Sequence, residues 1–484
     1  MRNACLVALL ATALPAAAVH VDPQGAGQVL LFPYYTVNDQ QQTVLSIVNT
    51  TGRAKIVEVS FREAFNGRSV LRMDVVLSPR DTWTATVFEQ EYLGARVPAL
   101  FVRDESCTVP LRYEWEGTAV NPSFRVFRQF DYYDGLSGDG GPVGDARLRE
   151  GYFHVVERAE LTGDLAGAAR VRACEVFANL REIAANSQVS SPGGGLRGNF
   201  AVINVGEGTL LGGSATAIEA FSTTPLLSET ADPRTFDALA AVNDGGSPIT
   251  AQLFVNGRFA ELTFPPERAV DALSAVLMTE HVSGDVTREA RLGSSTDWVI
   301  TAPTKRFHTD ATRARSQLAP FASLFNTANP AGSCSPFVPR LYDREGQATV
   351  LVPESPHPSA PRVLPQFALC HVTDTVSFQP ERGADELASP VLGSWVNTHV
   401  GDPRTTVEAG SLTLTLGSDG ERHSFLPPGL AGPGLRGLPV IGFEATRYIN
   451  GNVTPGVLAN YTVGRALMSS TRCTDDAGGI IGCP

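Results

Sequence analysis

Alternation of apolar and polar residues sets the character of the first part of this chain. Val57, Val59 and Phe61 are interleaved with Glu58, Ser60 and Arg62, the period of two of a half-buried strand. Asn66-Gly67 follows, a dipeptide suited to a type I′ hairpin because both residues tolerate positive φ. Leu71, Met73, Val75 and Leu77 then alternate with Arg72, Asp74 and Val76, and Ser78-Pro79-Arg80-Asp81 marks a turn. Beyond it Trp83, Ala85 and Val87 alternate with three threonines, while residues 29–35 and 44–48 supply two strands upstream. Short strands at this turn spacing predict an antiparallel, Ig-like β-sandwich over residues 19–120.

From residue 121 the pattern is mixed. Residues 123–133 (SFRVFRQFDYY) read as an aromatic strand, 134–145 as a Gly- and Asp-rich loop, and 152–157 as the returning partner. Asp164 is placed to cap a helix running toward residue 185, with Ala173, Val176, Phe177, Leu180 and Ile183 as its apolar stripe. Strands resume at 200–205 and 215–221, a short helix fits 270–278, and 298–301 reads as another strand. Residues 320–365, rich in Pro, Ser and Ala, read as mostly irregular. Leu412, Leu414 and Leu416 then alternate with Ser411, Thr413 and Thr415, and 439–447 supplies a late strand. The expected fold is mainly β, with two or more antiparallel Ig-like β-sandwich units and one short helical insertion. Its expected organisation is a sandwich over 19–120, a mixed, mainly β central region over 121–325 with a helix near 164–185, and a β-rich region over 326–484.

Residues 1–18 change the picture. Met1 and Arg2 form a positive start, residues 5–14 are apolar except for Thr12, and Pro15 precedes Ala16-Ala17-Ala18. This is the layout of a secretory signal, with an apolar run too short to span a bilayer. Cleavage is expected after Ala18, and delivery to the periplasm, the cell surface or the medium. No later segment approaches the roughly 18 consecutive apolar residues of a membrane helix. The net charge of −12, without a basic run, leaves no electrostatic footprint for nucleic acid.

Beyond Cys5 the chain carries Cys107, Cys174, Cys334, Cys370, Cys473 and Cys483. An even set after a secretory signal favours disulfides. Spacing alone proves no connectivity, but proximity favours Cys473–Cys483 and Cys334–Cys370, leaving Cys107–Cys174. A metal site is the rival reading, and no CxxC or HxxxH spacing accompanies it.

Candidate chemistry is sparse. Asp134, Asp139 and Asp145 lie in a loop able to turn sharply around Ca2+, the one cofactor weighed, although the spacing is not that of an EF-hand and a solvated loop has the same composition. Tyr34, Tyr35, Tyr132 and Tyr133, with Phe32, offer either a stacking platform for ligands or strand-to-strand core packing. Adjacent tyrosines in a strand point to opposite faces, so one ring of each pair is free to be exposed. The eight histidines are scattered, and no HExxH, GxSxG or P-loop occurs. A dispersed Ser-His-Asp triad or paired carboxylates would leave no local trace. Thr304-Lys305-Arg306-Phe307-His308 and Tyr342-Asp343-Arg344-Glu345 read either as an interaction surface or as ion-pair networks tying loops to the sandwich.

Several long blocks resemble a family of secreted bacterial β-rich proteins with no known biochemical activity. They are GQVLLFPYYTV (27–37), SIVNTTGRAKIVEVSFREAFNGRSVL (46–71), LSPRDTWTA (77–85), NFAVINVGEGT (199–209), TDWVITAPTKRF (296–307) and GLPVIGFEATRYING (437–451). The family's glycine-rich NYGG tail is replaced here by Asn460-Tyr461-Thr462-Val463-Gly464. The resemblance implies export and supplies no catalytic residues. The expected function is a non-catalytic structural or binding role at the bacterial envelope or exterior, with envelope proteins or extracellular polysaccharide as partners. The alternative is a secreted polysaccharide hydrolase whose carboxylates are assembled by the fold.

Overall fold

The computed structural model describes residues 18–118, 121–128, 141–142, 144–227, 237–242, 246–255, 258–310, 319–325, 332–351, 367–378, 388–400, 407–417, 425, 434–450, 454, 456–457 and 459–474. Two sheets form a first sandwich. One sheet runs His20–Val21, Thr216–Glu219, Val29–Thr36, Glu150–Leu161, Ala54–Glu63, Ser69–Leu77 and Cys107–Val109, with Val189–Ser190 also paired to Glu150–Leu161. The facing sheet runs Thr209–Ser214, Leu196–Asn204, Gln41–Asn49, Thr82–Tyr92, Ala95–Phe101, Asn121–Val126 and Glu116–Thr118. The alternation at 57–61 points Val57, Val59 and Phe61 between the sheets, against Leu45, Ile47, Trp83 and Val87. Phe153 lies opposite both Phe32 and Phe61 in register, and its ring stacks on theirs at 4.2 and 5.0 Å.

The strand containing residues 152–157 does not return to residues 123–133. Glu150–Leu161 lies between Val29–Thr36 and Ala54–Glu63, whereas Asn121–Val126 joins Ala95–Phe101 in the other sheet. Ala54–Glu63 is buried at every position and needs a neighbour on each edge, so the pairing runs across the division at residue 120. The Asn66-Gly67 connection also departs from the expected turn. Only Gly67 has positive φ, and the Glu63 carboxylate accepts the main-chain N–H groups of Phe65, Asn66 and Arg68. A carboxylate-organised loop replaces the two-residue I′ turn.

The single helix expected over 164–185 is divided into the helix Gly163–Arg170, a 3-10 turn Cys174–Phe177 and the helical turn Leu180–Ile183. Thr162, not Asp164, occupies the N-cap position. Arg172 sits at φ +57, and Cys174 is drawn to Cys107, which together break the helical path.

The second sandwich pairs the order Ala348–Val350, Ser335–Asp343, Ala409–Leu416, His281–Thr287 and Met468–Ser470 with the order Asn397–His399, Thr373–Ser377, Ser294–Thr301, Ile441–Tyr448 and Tyr461–Ala466; Ala368–Leu369 also pairs with Ser335–Asp343. Ser335–Asp343 corrects the irregular reading of 320–365. Phe337, Pro339 and Leu341 point inward there, but Pro336 and Pro339 disguise the alternation. Between the sandwiches, the hairpin Ile249–Val255/Arg258–Phe264 and the helix Ala269–Leu277 build a third core against Val29, Leu31 and Ile218. Phe443 of the second sandwich packs 5.4 Å from Phe200 of the first, so the two cores are continuous.

Disulfides join Cys334 to Cys370, as proximity suggested, and Cys107 to Cys174, the pair left over. The third pair, Cys473–Cys483, falls on side chains outside the described residues, as do residues 1–17 of the expected signal over 1–18. No helix among the described residues is long and apolar enough to cross a membrane.

Candidate functional site

Neither tyrosine of the 34–35 pair reaches solvent. Tyr34 donates to Glu150 Oε2 at 2.7 Å, and Tyr35 to the Leu148 carbonyl at 3.1 Å. The Tyr35 ring meets Phe61 and Phe127, while Tyr34 faces Phe443 of the second sandwich. The pleat does separate the two rings, but the second sandwich covers the face that a lone sheet would expose, so the pair forms no platform. Tyr132, Tyr133, Asp134 and Asp139 lie outside the described residues. Asp145 opens the 3-10 turn Asp145–Leu148, and no group of three His, Cys, Asp or Glu able to hold a metal occurs among the described residues.

What folding assembles instead is a set of buried carboxylates aimed at main-chain N–H groups, most of them in loops. Glu150 Oε1 accepts the N–H groups of Trp395 and Val396, and Asp297 Oδ2 accepts those of Val391 and Leu392. Glu157 receives Gly193 and Gly194, Glu63 organises 65–68, Asp374 receives His371, and Glu444 receives Asp285. Burial pushes three of these groups up, Asp297 to about 6, Glu157 to about 7 despite Lys55, and Glu150 above its ordinary value. Lys55, fully buried, places Nζ 2.6 Å from Glu157 and 2.8 Å from Glu160.

A second polar layer covers the outer face of the first sheet. The period of two places Glu58, Ser60 and Arg62 there, beside Arg72, Asp74 and His154 on neighbouring strands. Arg158 binds Asp74 at 2.9 Å and the Leu226 carbonyl above it, and Arg62 meets Asp237 at 3.0 Å. Burial pushes Glu58 up to about 7, and burial beside Arg62 pushes His154 down to about 3. Neither ring nitrogen of His154 has a hydrogen-bond partner among the described residues. Leu226 and Asp237 overlie this layer, and Glu58, Arg62 and His154 are buried beneath them.

Two pairs resemble fragments of catalytic triads. Asp374 Oδ1 lies 2.9 Å from His371 Nδ1, the orientation a carboxylate gives to a general base. No Ser or Cys hydrogen-bonds the other ring nitrogen of His371 among the described residues. Ser274 Oγ lies 2.8 Å from His308 Nε2, but it is equally close to Thr304 Oγ1 and has no exposure. A nucleophile with no path for substrate performs no acyl transfer. The string 304–308 is likewise internal: Lys305, fully buried, donates to the Leu369 and His371 carbonyls, and burial lowers it to about 8. Backbone tethering, rather than an interaction surface, accounts for that segment.

The exposed exception is Trp395. Trp83, Trp115 and Trp298 are buried, whereas Trp395 is 63% exposed on a tightly tied loop. No family model, curated protein or solved structure matches this chain. The alternation of residues 57–62 marks the polar layer without revealing that it is covered. For Trp395 the only sequence signal is an isolated tryptophan amid polar neighbours, Ser394 and Asn397.

Proposed function

We propose that this chain is an exported, non-catalytic binding or structural protein of the bacterial envelope or exterior. The observation that carries this reading is the employment of its buried carboxylates. Glu63, Glu150, Glu157 and Asp297 each hold the main chain of a loop, while glycosidic hydrolysis needs two carboxyl groups facing substrate roughly 5 to 10 Å apart. Two disulfides support an oxidising destination. Val19, the first residue after the proposed cleavage, pairs through its N–H with the Thr250 carbonyl and through its carbonyl with Gln252. A chain beginning there keeps its first residue docked.

Expression of the full chain in a Gram-negative host, followed by fractionation and N-terminal sequencing, tests export. The expected product lies outside the cytoplasm, begins at Val19 and has no free thiol. A cytoplasmic product retaining Met1 and reduced cysteines overturns the reading. Release of reducing sugar from incubated polysaccharide would favour the hydrolase instead.

A further inference from the structure

Loop 388–396 is held unusually firmly for a segment that carries an exposed aromatic ring. Asp297 grips the N–H groups of Val391 and Leu392, Gln41 donates to the Val391 carbonyl, and Glu150 takes those of Trp395 and Val396. Ser389 and Ser394 close it internally through main-chain and hydroxyl bonds. The anchors come from both sandwiches: Gln41 and Glu150 from the first, Asp297 from the second. Such a loop has little conformational freedom left to lose on binding, so the contact energy of its ring is not spent on ordering.

The neighbouring first-sandwich segment is strained. Asp39 and Gln40 are consecutive non-glycine residues in the left-handed region, at φ 48 and 59, and both are exposed. Strain of this kind persists only where surrounding structure enforces it and tends to mark functional sites. It adjoins the Trp395 loop: a Cβ on Gly393 would stand 2.3 Å from Asp39 Oδ2. Arg149, next to Glu150, holds the same segment through Asn38 Oδ1 at 3.1 Å and the Val37 carbonyl. Asp39 therefore sets a carboxylate against the loop that carries Trp395.

We propose that Trp395, with Asp39 against its loop, forms a carbohydrate subsite that stacks the C–H face of a hexopyranose ring on the indole. The Asp39 carboxylate accepts a hydrogen bond from a ring hydroxyl. This rests on the binding reading above and names the ligand class for it.

Trp395 is the sole exposed tryptophan, so it can be read directly in the full mature chain. Cellohexaose, maltohexaose and chitohexaose are titrated separately while tryptophan emission is followed, and N-bromosuccinimide oxidation is counted by mass with and without each sugar. At least one hexasaccharide should shift the emission and protect one tryptophan from oxidation. Trp395→Ala should weaken that binding by about tenfold or more, and Trp395→Tyr should restore part of it. Asp39→Ala should weaken it several-fold, and an unchanged melting curve for each variant would show that the fold is intact. Absence of any shift and protection with all three sugars, or undiminished binding by Trp395→Ala, overturns the subsite, as does protection by a captured protein alone. Chromatography of the same mixtures separates the two readings. Intact sugars with no binding remove the subsite only, whereas shortened sugars overturn the non-catalytic assignment.

Discussion

Glu150 Oε1 accepts the main-chain N–H of Trp395 at 2.9 Å, a bond that spans 245 residues and the junction of the two sandwiches. The same carboxylate takes the Tyr34 hydroxyl at 2.7 Å on its other oxygen. One buried side chain thus couples the first core to the only exposed tryptophan. Glu150→Ala should cost about 2–4 kcal/mol, because Tyr34 and two amides lose a charged acceptor. Urea unfolding measures the loss, and hydrogen exchange should show faster opening of Trp395 and Val396 than of the Ala54–Glu63 strand.

Stability should fall as pH rises from about 4 to above 6. Asp297 has a folded-state value near 6 against 3.8 when unfolded, so the folded state holds the proton longer. Its contribution is fully present below 3.8 and is lost as pH rises through 6. Glu157 acts in the same direction up to about 7, while His154, lowered to about 3, opposes both below its unfolded value of 6.5. Asp297→Asn should flatten the profile between pH 4 and 6, and thermal melts at fixed ionic strength would expose an unchanged slope if the assignment is wrong.

Lys55 is the sole cation hydrogen-bonded to Glu157 among the described residues, and it touches Glu160 as well. Lys55→Met should destabilise the chain by about 3–5 kcal/mol, since it leaves buried carboxylate charge uncompensated. Adding Glu157→Gln should recover part of that loss. A double-mutant cycle in urea showing strict additivity would contradict the pairing.

The disulfides enclose long loops, with 67 residues of separation for Cys107–Cys174 and 36 for Cys334–Cys370. Replacing both cysteines of either pair with serine should cost about 4 kcal/mol on loop-closure grounds. Calorimetry of the two double variants checks this; a change in melting temperature under 2 °C would show that the unfolded chain is not restrained as expected.

Gly464 marks the close approach of the sandwiches, since a Cβ there would stand 2.7 Å from the Gly212 carbonyl oxygen. Gly464→Val should push Tyr461–Ala466 away from Thr209–Ser214 and lower the melting temperature. A second, separate unfolding transition is the expected calorimetric signature.

Much of the strand inventory was legible along the chain, because side-chain period is a local property of extended backbone. The alternations at 57–62, 71–77, 83–87 and 411–416 each became a strand. Residues 336–342 escaped because proline obscures the pattern without preventing an inward-facing row. The candidate site was far less legible. Trp395 is exposed and rigid only because Glu150 and Asp297 hold its loop, and those partners lie 245 and about a hundred residues away.

The sequence by itself determined the strand-rich character and the inward faces of the clearest strands, and it pointed to the Cys334–Cys370 pair through proximity. Tertiary structure decided which strands are neighbours, since Ala54–Glu63 recruits Glu150–Leu161 only when the sheet closes around it. It also decided the fate of the polar residues. Whether Glu58, Tyr34 or Trp395 meets water depends on what another part of the chain lays over it, and burial of that kind is a property of the assembled surfaces rather than of any local pattern.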